Sequence, residues 1–268
     1  MVSTEGVLGK MFEENWHRTH DGKQYFSGIV RNGKRRIFGS LESPALPAGL
    51  IYDNVSYKIF VSGKAGVGKT STVAKLSGLA VPKSHIETPG LQTSVVYWPA
   101  KLTDGSGKVL MFKFQLWDAG ENILKKFDHV LPACTDIANA MIFLFSYTDR
   151  PSFEDLPVQM LHVCESDIPK IVIGTKFDQL RNSDITTKEI CNFRQRYNIP
   201  LLNIKNISRF RLLSDGSKII DGNAEIEDIA NIMNGMCQIL WNQNDTAKMA
   251  INARQPVDNN DGVGYSYV

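Results

Sequence analysis

Four cysteines are all that this 268-residue chain carries, and Cys134, Cys164, Cys191 and Cys237 stand too far apart to make a CxxC pair or a Cys/His pair of metal-ligand spacing. They read as reduced core thiols of a cytosolic protein. No run approaches the roughly 20 apolar residues that a membrane-crossing helix needs. The start Met-Val-Ser-Thr-Glu lacks the basic-then-apolar order of a secretory signal. Val2 stands where myristoylation requires glycine, and the ending Gly-Tyr-Ser-Tyr-Val has no cysteine for prenylation. With no direct lipid anchor, membrane contact is expected only through partners. A charge of one sign is missing too. With 30 basic and 28 acidic residues the formal charge is +2, which excludes a global attraction to nucleic acid. Phosphate chemistry, if present, has to be local.

What is present is a hydrophobic content of 43%, enough for a full core in one globular domain with extensions. Residues 1–55 form an N-terminal extension in which Phe12, Trp16, Tyr25 and Phe38 mix with the basic cluster Arg31, Lys34, Arg35 and Arg36. That cluster reads either as solvated surface or as a docking arm for a partner. Pro44 and Pro47 break the segment before the main domain, residues 56–243. Residues 244–268, rich in Asn, Asp and Gly, read as a disordered tail.

Within the main domain, Tyr57–Ser62 is a β-rich run and Lys69–Leu76 is helical in character. Thr93–Leu102 and Val109–Trp117 read as strands joined by a hairpin turn at Asp104-Gly105-Ser106-Gly107. Ala140–Phe145 and Lys170–Gly174 are continuous apolar runs, as expected of strands covered on both faces of a parallel sheet. Helices are expected near 151–165, 186–197 and 225–242, and a hairpin at Arg209–Gly222. Strands alternating with helices make an α/β doubly wound, mostly parallel sheet with one antiparallel edge strand.

Gly63-Lys64-Ala65-Gly66-Val67-Gly68-Lys69-Thr70 fits GxxxxGK[ST] and lies between the first strand of that domain and its first helix. A chance match in a chain of this length has a probability of about 1%. Glycines let successive amides turn inward around phosphate oxygens, and the helix start at Lys69, Thr70 and Ser71 adds positive potential. Lys69 would bridge the β- and γ-phosphates, and the Thr70 hydroxyl would bind Mg²⁺. The choice of base comes from Thr175-Lys176-Phe177-Asp178, after the buried strand. A carboxylate at Asp178 can accept from N1–H and the 2-amino group of guanine, whereas adenine offers an acceptor there and leaves it unpaired. Lys176 would lay its stem along the base. GTP/GDP with Mg²⁺ is the expected cofactor set.

Over about residues 56–243 the chain resembles the Ras superfamily, giving a P-loop Ras-like G domain with an N-terminal extension. Within it the chain looks like the Rem/Rab-like small GTPases of the ciliogenesis and planar polarity effector (CPLANE) complex. The runs that carry this are SYKIFVSGKAGVGKT, ETPGLQTSVVYWPAKL, LKKFDHVLPAC, SFEDLP and TKFDQ. The resemblance implies a cytoplasmic protein at the cilium base, or basal body, that binds the Fuzzy and Inturned subunits when loaded with GTP. Its role there would be cilium assembly and intraflagellar transport recruitment. It also implies that Thr88, ahead of Pro89-Gly90, completes the magnesium shell, with Thr93 as the competing choice. Asp118 would hold a magnesium-bound water. The family's Asp-x-x-Gly-Gln is here Asp118-Ala119-Gly120-Glu121, one residue shorter and without glutamine. Glu121 would repel phosphate rather than orient water, so hydrolysis is expected to be slow. Of the family's Ser-Ala-Lys triplet only Lys205, in Asn203-Ile204-Lys205, is carried over. Two readings stand: a GTP-dependent switch, and a pseudo-GTPase scaffold with nucleotide permanently bound. A P-loop kinase or ATPase would need lid arginines, and the clusters near 31–36 and 209–211 lie outside lid positions.

Overall fold

The structure, a computed structural model, describes residues 11–84, 88–120, 138–161 and 168–243. Its centre is a six-stranded sheet made of β3 (Asp53–Gly63), β4 (Leu91–Lys101), β5 (Val109–Ala119), β6 (Ala140–Ser146), β7 (Lys170–Thr175) and β8 (Leu201–Asn203). The strand order is β4-β5-β3-β6-β7-β8, with β4 antiparallel to β5 and every other pair parallel. This is the α/β doubly wound sheet with one antiparallel edge strand. All seven residues of β6 are buried, which is why its sequence is an unbroken apolar run. β3 begins at Asp53, ahead of the apolar run, because parallel pairing of Asp53 with Leu110 and Asn54 with Met111 extends the ladder where local pattern gives no signal.

Helices cover both faces. α2 (Lys69–Ser77) and α6 (Gly222–Asn242) pack on one side, and α3 (Arg150–Glu154), α4 (Leu156–Leu161) and α5 (Thr187–Tyr197) on the other. α5 opens with a capping box, Thr186 and Glu189 bonding each other's backbone N–H. The expected hairpin before the last helix is β9 (Phe210–Leu212) paired with β10 (Lys218–Ile220). Among the described residues no helix is long and apolar enough to cross a membrane.

The N-terminal segment contributes to the same core as the sheet. It holds α1 (His20–Phe26) and a short hairpin, β1 (Val30–Arg31) with β2 (Lys34–Arg35). Phe12, Trp16, Phe26, Ile29 and Phe38 are buried in the cluster that contains Trp98, Phe112 and Trp241. Phe26 meets Trp98 edge-on at 4.9 Å, and Phe12 meets Phe112 at 5.6 Å. Bridges Phe12–Leu102 and Phe38–Val95 run along β4, so the chain covers its own sheet edge. The basic cluster divides. Arg31 and Lys34 are exposed, but Arg35 donates to the carbonyls of Lys75 (3.1 Å) and Leu76 (2.6 Å) at the C-terminal end of α2. Burial lowers the pKa of that guanidinium to about 10.

Candidate functional site

Gly63–Thr70 closes into a loop between β3 and α2. Gly63, Gly66 and Gly68 have φ of 150°, 76° and 100°, a region that side chains rarely adopt. A Cβ on Gly63 would also meet Leu144 O at 2.7 Å, whereas beside Gly66 there is open space. The loop therefore curls into a cradle at the N-terminus of a nine-residue helix, open to solvent at Gly66. Val67 is buried and anchors it. Lys69 arches back over the loop, its Nζ donating to Gly63 O at 2.7 Å and Lys64 O at 3.0 Å. Lys64, Ser71 and Thr70 are half-buried, and Ala65 lies exposed at the tip.

Three oxygen-bearing side chains meet at the mouth of this cradle. Thr70 Oγ1 donates to Asp118 Oδ2 at 2.6 Å and lies 2.9 Å from Thr88 Oγ1, which in turn is 3.3 Å from Asp118 Oδ2. The β4–β5 ladder places Thr88, because the register pairs Gln92 with Asp118 and Leu91 with Ala119 and delivers residues 88–90 over the strand end. Thr93 sits inside β4 opposite Trp117 and is exposed, away from this group. Asp118 is 1% exposed, and its Oδ1 has no hydrogen-bond partner among the described residues. A buried carboxylate with an orphan oxygen beside two hydroxyls suits a hard divalent cation such as Mg²⁺, whose preferred donors are oxygens.

Gly120 lies against the same loop. Its N–H donates to Gly90 O at 3.1 Å, and a Cβ there would fall 2.2 Å from Thr88 O. That amide is thus committed to the neighbouring loop rather than aimed at a phosphate. Glu121 lies outside the described residues.

Behind the cradle, Thr175 at the end of β7 ties the loop to β6, its single hydroxyl lying 2.5 Å from Val67 O and 3.1 Å from Phe145 O. Lys176 follows with φ of 53°, a left-handed turn that starts the short 3₁₀ helix Phe177–Asn182. Asp178 is exposed at its start. The loop after β8 lies alongside, since Phe177 N–H donates to Ile204 O (3.2 Å) and Ile204 N–H to Gly174 O (2.9 Å). This brings exposed Lys205 to the same end of the sheet as Lys176 and Asp178. Tyr147 OH supports the loop by donating to Asn203 Oδ1 at 2.7 Å, and burial raises its pKa to about 12.

Three residues with no assigned role in the sequence motifs hold these parts together. Thr175 is one, and Asn206 is the second, donating to Thr72 Oγ1 of α2 at 2.9 Å. The third is Lys75, whose enclosed ammonium donates to Ile207 O (2.6 Å), Glu225 Oε1 (2.8 Å) and Asp228 Oδ2 (3.2 Å). It ties the loop after β8 to the helix that bears the cradle. Its signal in the sequence was weak, a lysine on the same helix face as Ser71 and Thr72, which by pattern reads as solvated.

A family model described as "Ras family" matches residues 58–210. Over 241 residues the chain is 50% identical to ciliogenesis and planar polarity effector 2 of Mus musculus, spanning 89% of this chain and 92% of that protein. The Homo sapiens protein of the same name is 49% identical over 243 residues, 90% and 93% of the two chains. GTP-binding protein REM 2 of Rattus norvegicus is 25% identical over 146 residues, 53% of this chain and 40% of that one.

Proposed function

This chain belongs to the Ras family, and from that premise we propose that it is a guanine-nucleotide switch of cilium assembly with slow intrinsic hydrolysis. The observation that carries the reading is the meeting of Thr70, Thr88 and Asp118 within 2.6–3.3 Å at the mouth of the cradle. Thr70 starts the helix after the glycine loop, Asp118 lies near the end of β5, and Thr88 lies in the segment that leads into β4. With a metal held there, Thr88 would link its segment's position to the nucleotide.

In this reading Gly63–Ser71 wrap the phosphates and Lys69 neutralises them. Thr70, Thr88 and Asp118 hold Mg²⁺, which when bound supplies charge neutralisation for the phosphate oxygens. Asp178 accepts from the guanine edge, Lys176 covers the ring, and Lys205 lies at its rim. Hydrolysis is slow because no glutamine follows Gly120 to orient water, and the carboxylate of Glu121 opposes developing negative charge. The name of the relatives, an effector in ciliogenesis and planar polarity, supports a place in that process. The partners that fit are the Fuzzy and Inturned subunits, with a cytoplasmic location at the ciliary base.

The alternative, a scaffold with permanently held nucleotide, draws on the Gly120 amide being satisfied by Gly90 O, which needs no γ-phosphate. One experiment separates the two. Capture of Fuzzy–Inturned is compared for the GTP-loaded and GDP-loaded protein, with nucleotide content read by chromatography and Thr70→Asn as control. Preference for GTP, lost in Thr70→Asn, is expected. Equal capture in both states favours the scaffold, and equal retention of ATP and GTP defeats both.

A further inference from the structure

Two hairpins far apart in sequence lie side by side. Arg211 Nη2 of β9 donates to Asn32 O in the turn between β1 and β2 at 2.8 Å, and Gly222 N–H donates to Gly33 O at 2.8 Å. Lys218 stands opposite Leu212 and Ile220 opposite Phe210, so Phe210 and Leu212 share one face of their ribbon. That face is not packed: Phe210 is 53% exposed and Leu212 is 68% exposed.

Residues 30–36 and 209–220 together hold seven basic side chains and one acidic, in a chain whose whole formal charge is only +2. Part of this charge is used internally. Arg35 serves the end of α2, Arg209 pairs with Asp228, and Arg36 lies over the Phe38 ring. Arg31, Lys34, Arg211 and Lys218 are exposed and make no ion pair with the described residues. The one acidic group, Asp215, turns back to accept from Ser217 N–H at 2.9 Å. Acids at the start of α6 are engaged as well, Asp221 as its cap and Glu225 and Asp228 by Lys75.

The geometry points to this double ribbon as a docking face for an anionic lipid surface. Phe210 and Leu212 enter the headgroup boundary with Lys218 on their own face, while Arg31 and Lys34 of the neighbouring hairpin meet lipid phosphates and Arg211, leaving the opposite face, ties the two hairpins together. A protein cleft reads individual side chains and supplies discrete acids opposite discrete bases. A bilayer supplies a continuous sheet of negative charge above an apolar layer. That is the complement of cations of one sign spread over two ribbons around an apolar pair. The expectation that membranes are reached only through partners then gives way to direct, weak contact. This inference does not depend on the nucleotide reading.

Cosedimentation of the full chain with phosphatidylcholine vesicles, alone or with about one-third phosphatidylserine, tests it. Binding is expected to the anionic vesicles and to weaken as salt is added, each cation being worth roughly fivefold in affinity. Arg31→Gln/Lys34→Gln breaks no hydrogen bond of the fold and is expected to weaken binding roughly 25-fold. Phe210→Ser/Leu212→Ser is expected to abolish it with an unchanged thermal transition. Equal sedimentation with both vesicle types, or no sedimentation at all, overturns the proposal. So does an Arg31→Gln/Lys34→Gln variant that binds vesicles unchanged but loses Fuzzy–Inturned in solution, which identifies the face as a protein contact.

Discussion

Lys75→Met removes a charge from a place no water reaches, and its cost can be worked from the neighbours. Lys75 and Glu225 both have side chains 0% exposed, and the ammonium makes three hydrogen bonds, to Ile207 O, Glu225 Oε1 and Asp228 Oδ2. Methionine preserves the stem but leaves the Glu225 carboxylate with only the Arg209 N–H at 2.6 Å, its Oε2 already lacking a partner. Stranding one member of a buried pair costs about 3–5 kcal/mol. A domain's whole net stability is about 5–15 kcal/mol. At about 2–4 °C per kcal/mol for a domain of this size, the melting temperature should fall by about 6–20 °C. Lys75→Met/Glu225→Gln should recover most of the loss, since glutamine still accepts from Arg209 N–H and buries no bare charge. The same single variant frees Ile207 O and should speed release of a fluorescent guanine nucleotide. Urea unfolding and nucleotide release measure the two effects. A single variant within about 1 kcal/mol of wild type, or a double variant no better than the single, refutes the reasoning.

Thr88→Ala should speed loss of GTP in Mg²⁺ about tenfold, the worth of one hydrogen bond to a charged partner, while Thr93→Ala leaves it unchanged; stopped-flow release reads both. Gly120→Ala places a methyl 2.2 Å from the Thr88 carbonyl, a backbone atom that cannot step aside. It should cost about 1–3 kcal/mol in thermal unfolding and share the Thr88→Ala release defect. Burial raises the Tyr147 phenol from 10.0 to about 12, so its contribution is complete below pH 10 and is lost as pH climbs toward 12. Tyr147→Phe should therefore lose stability at neutral pH and show a flatter alkaline limb, as followed by tyrosinate absorbance and circular dichroism.

Features confined to a few consecutive residues were legible from sequence. The glycine-rich loop between β3 and α2 is one, because its three glycines and the Lys69-Thr70 pair stand within eight consecutive residues. The buried strands are another, since β6 and β7 have no solvent-facing side and their composition says so. The hairpin at 209–222 was readable from Asp215-Gly216 between apolar runs. The choice between Thr88 and Thr93 was not, because both precede or enter β4 and only the pairing of Leu91 with Ala119 carries the first toward Asp118. Nor was the fate of the basic cluster. Arg35 became a helix cap because α2 ends where the first hairpin lies, and Arg31 and Lys34 remained outside.

Taken alone, then, the sequence determined the glycine loop, the order of elements and the α/β class, all set by local backbone freedom and by which faces lack polar residues. Tertiary structure decided the rest. It brought Thr88 to Thr70, covered the β4 edge with the N-terminal segment, and closed Lys75 onto Glu225 across 150 positions. Those contacts join residues with no pattern between them, and their stability comes from burial that exists only once the sheet has formed.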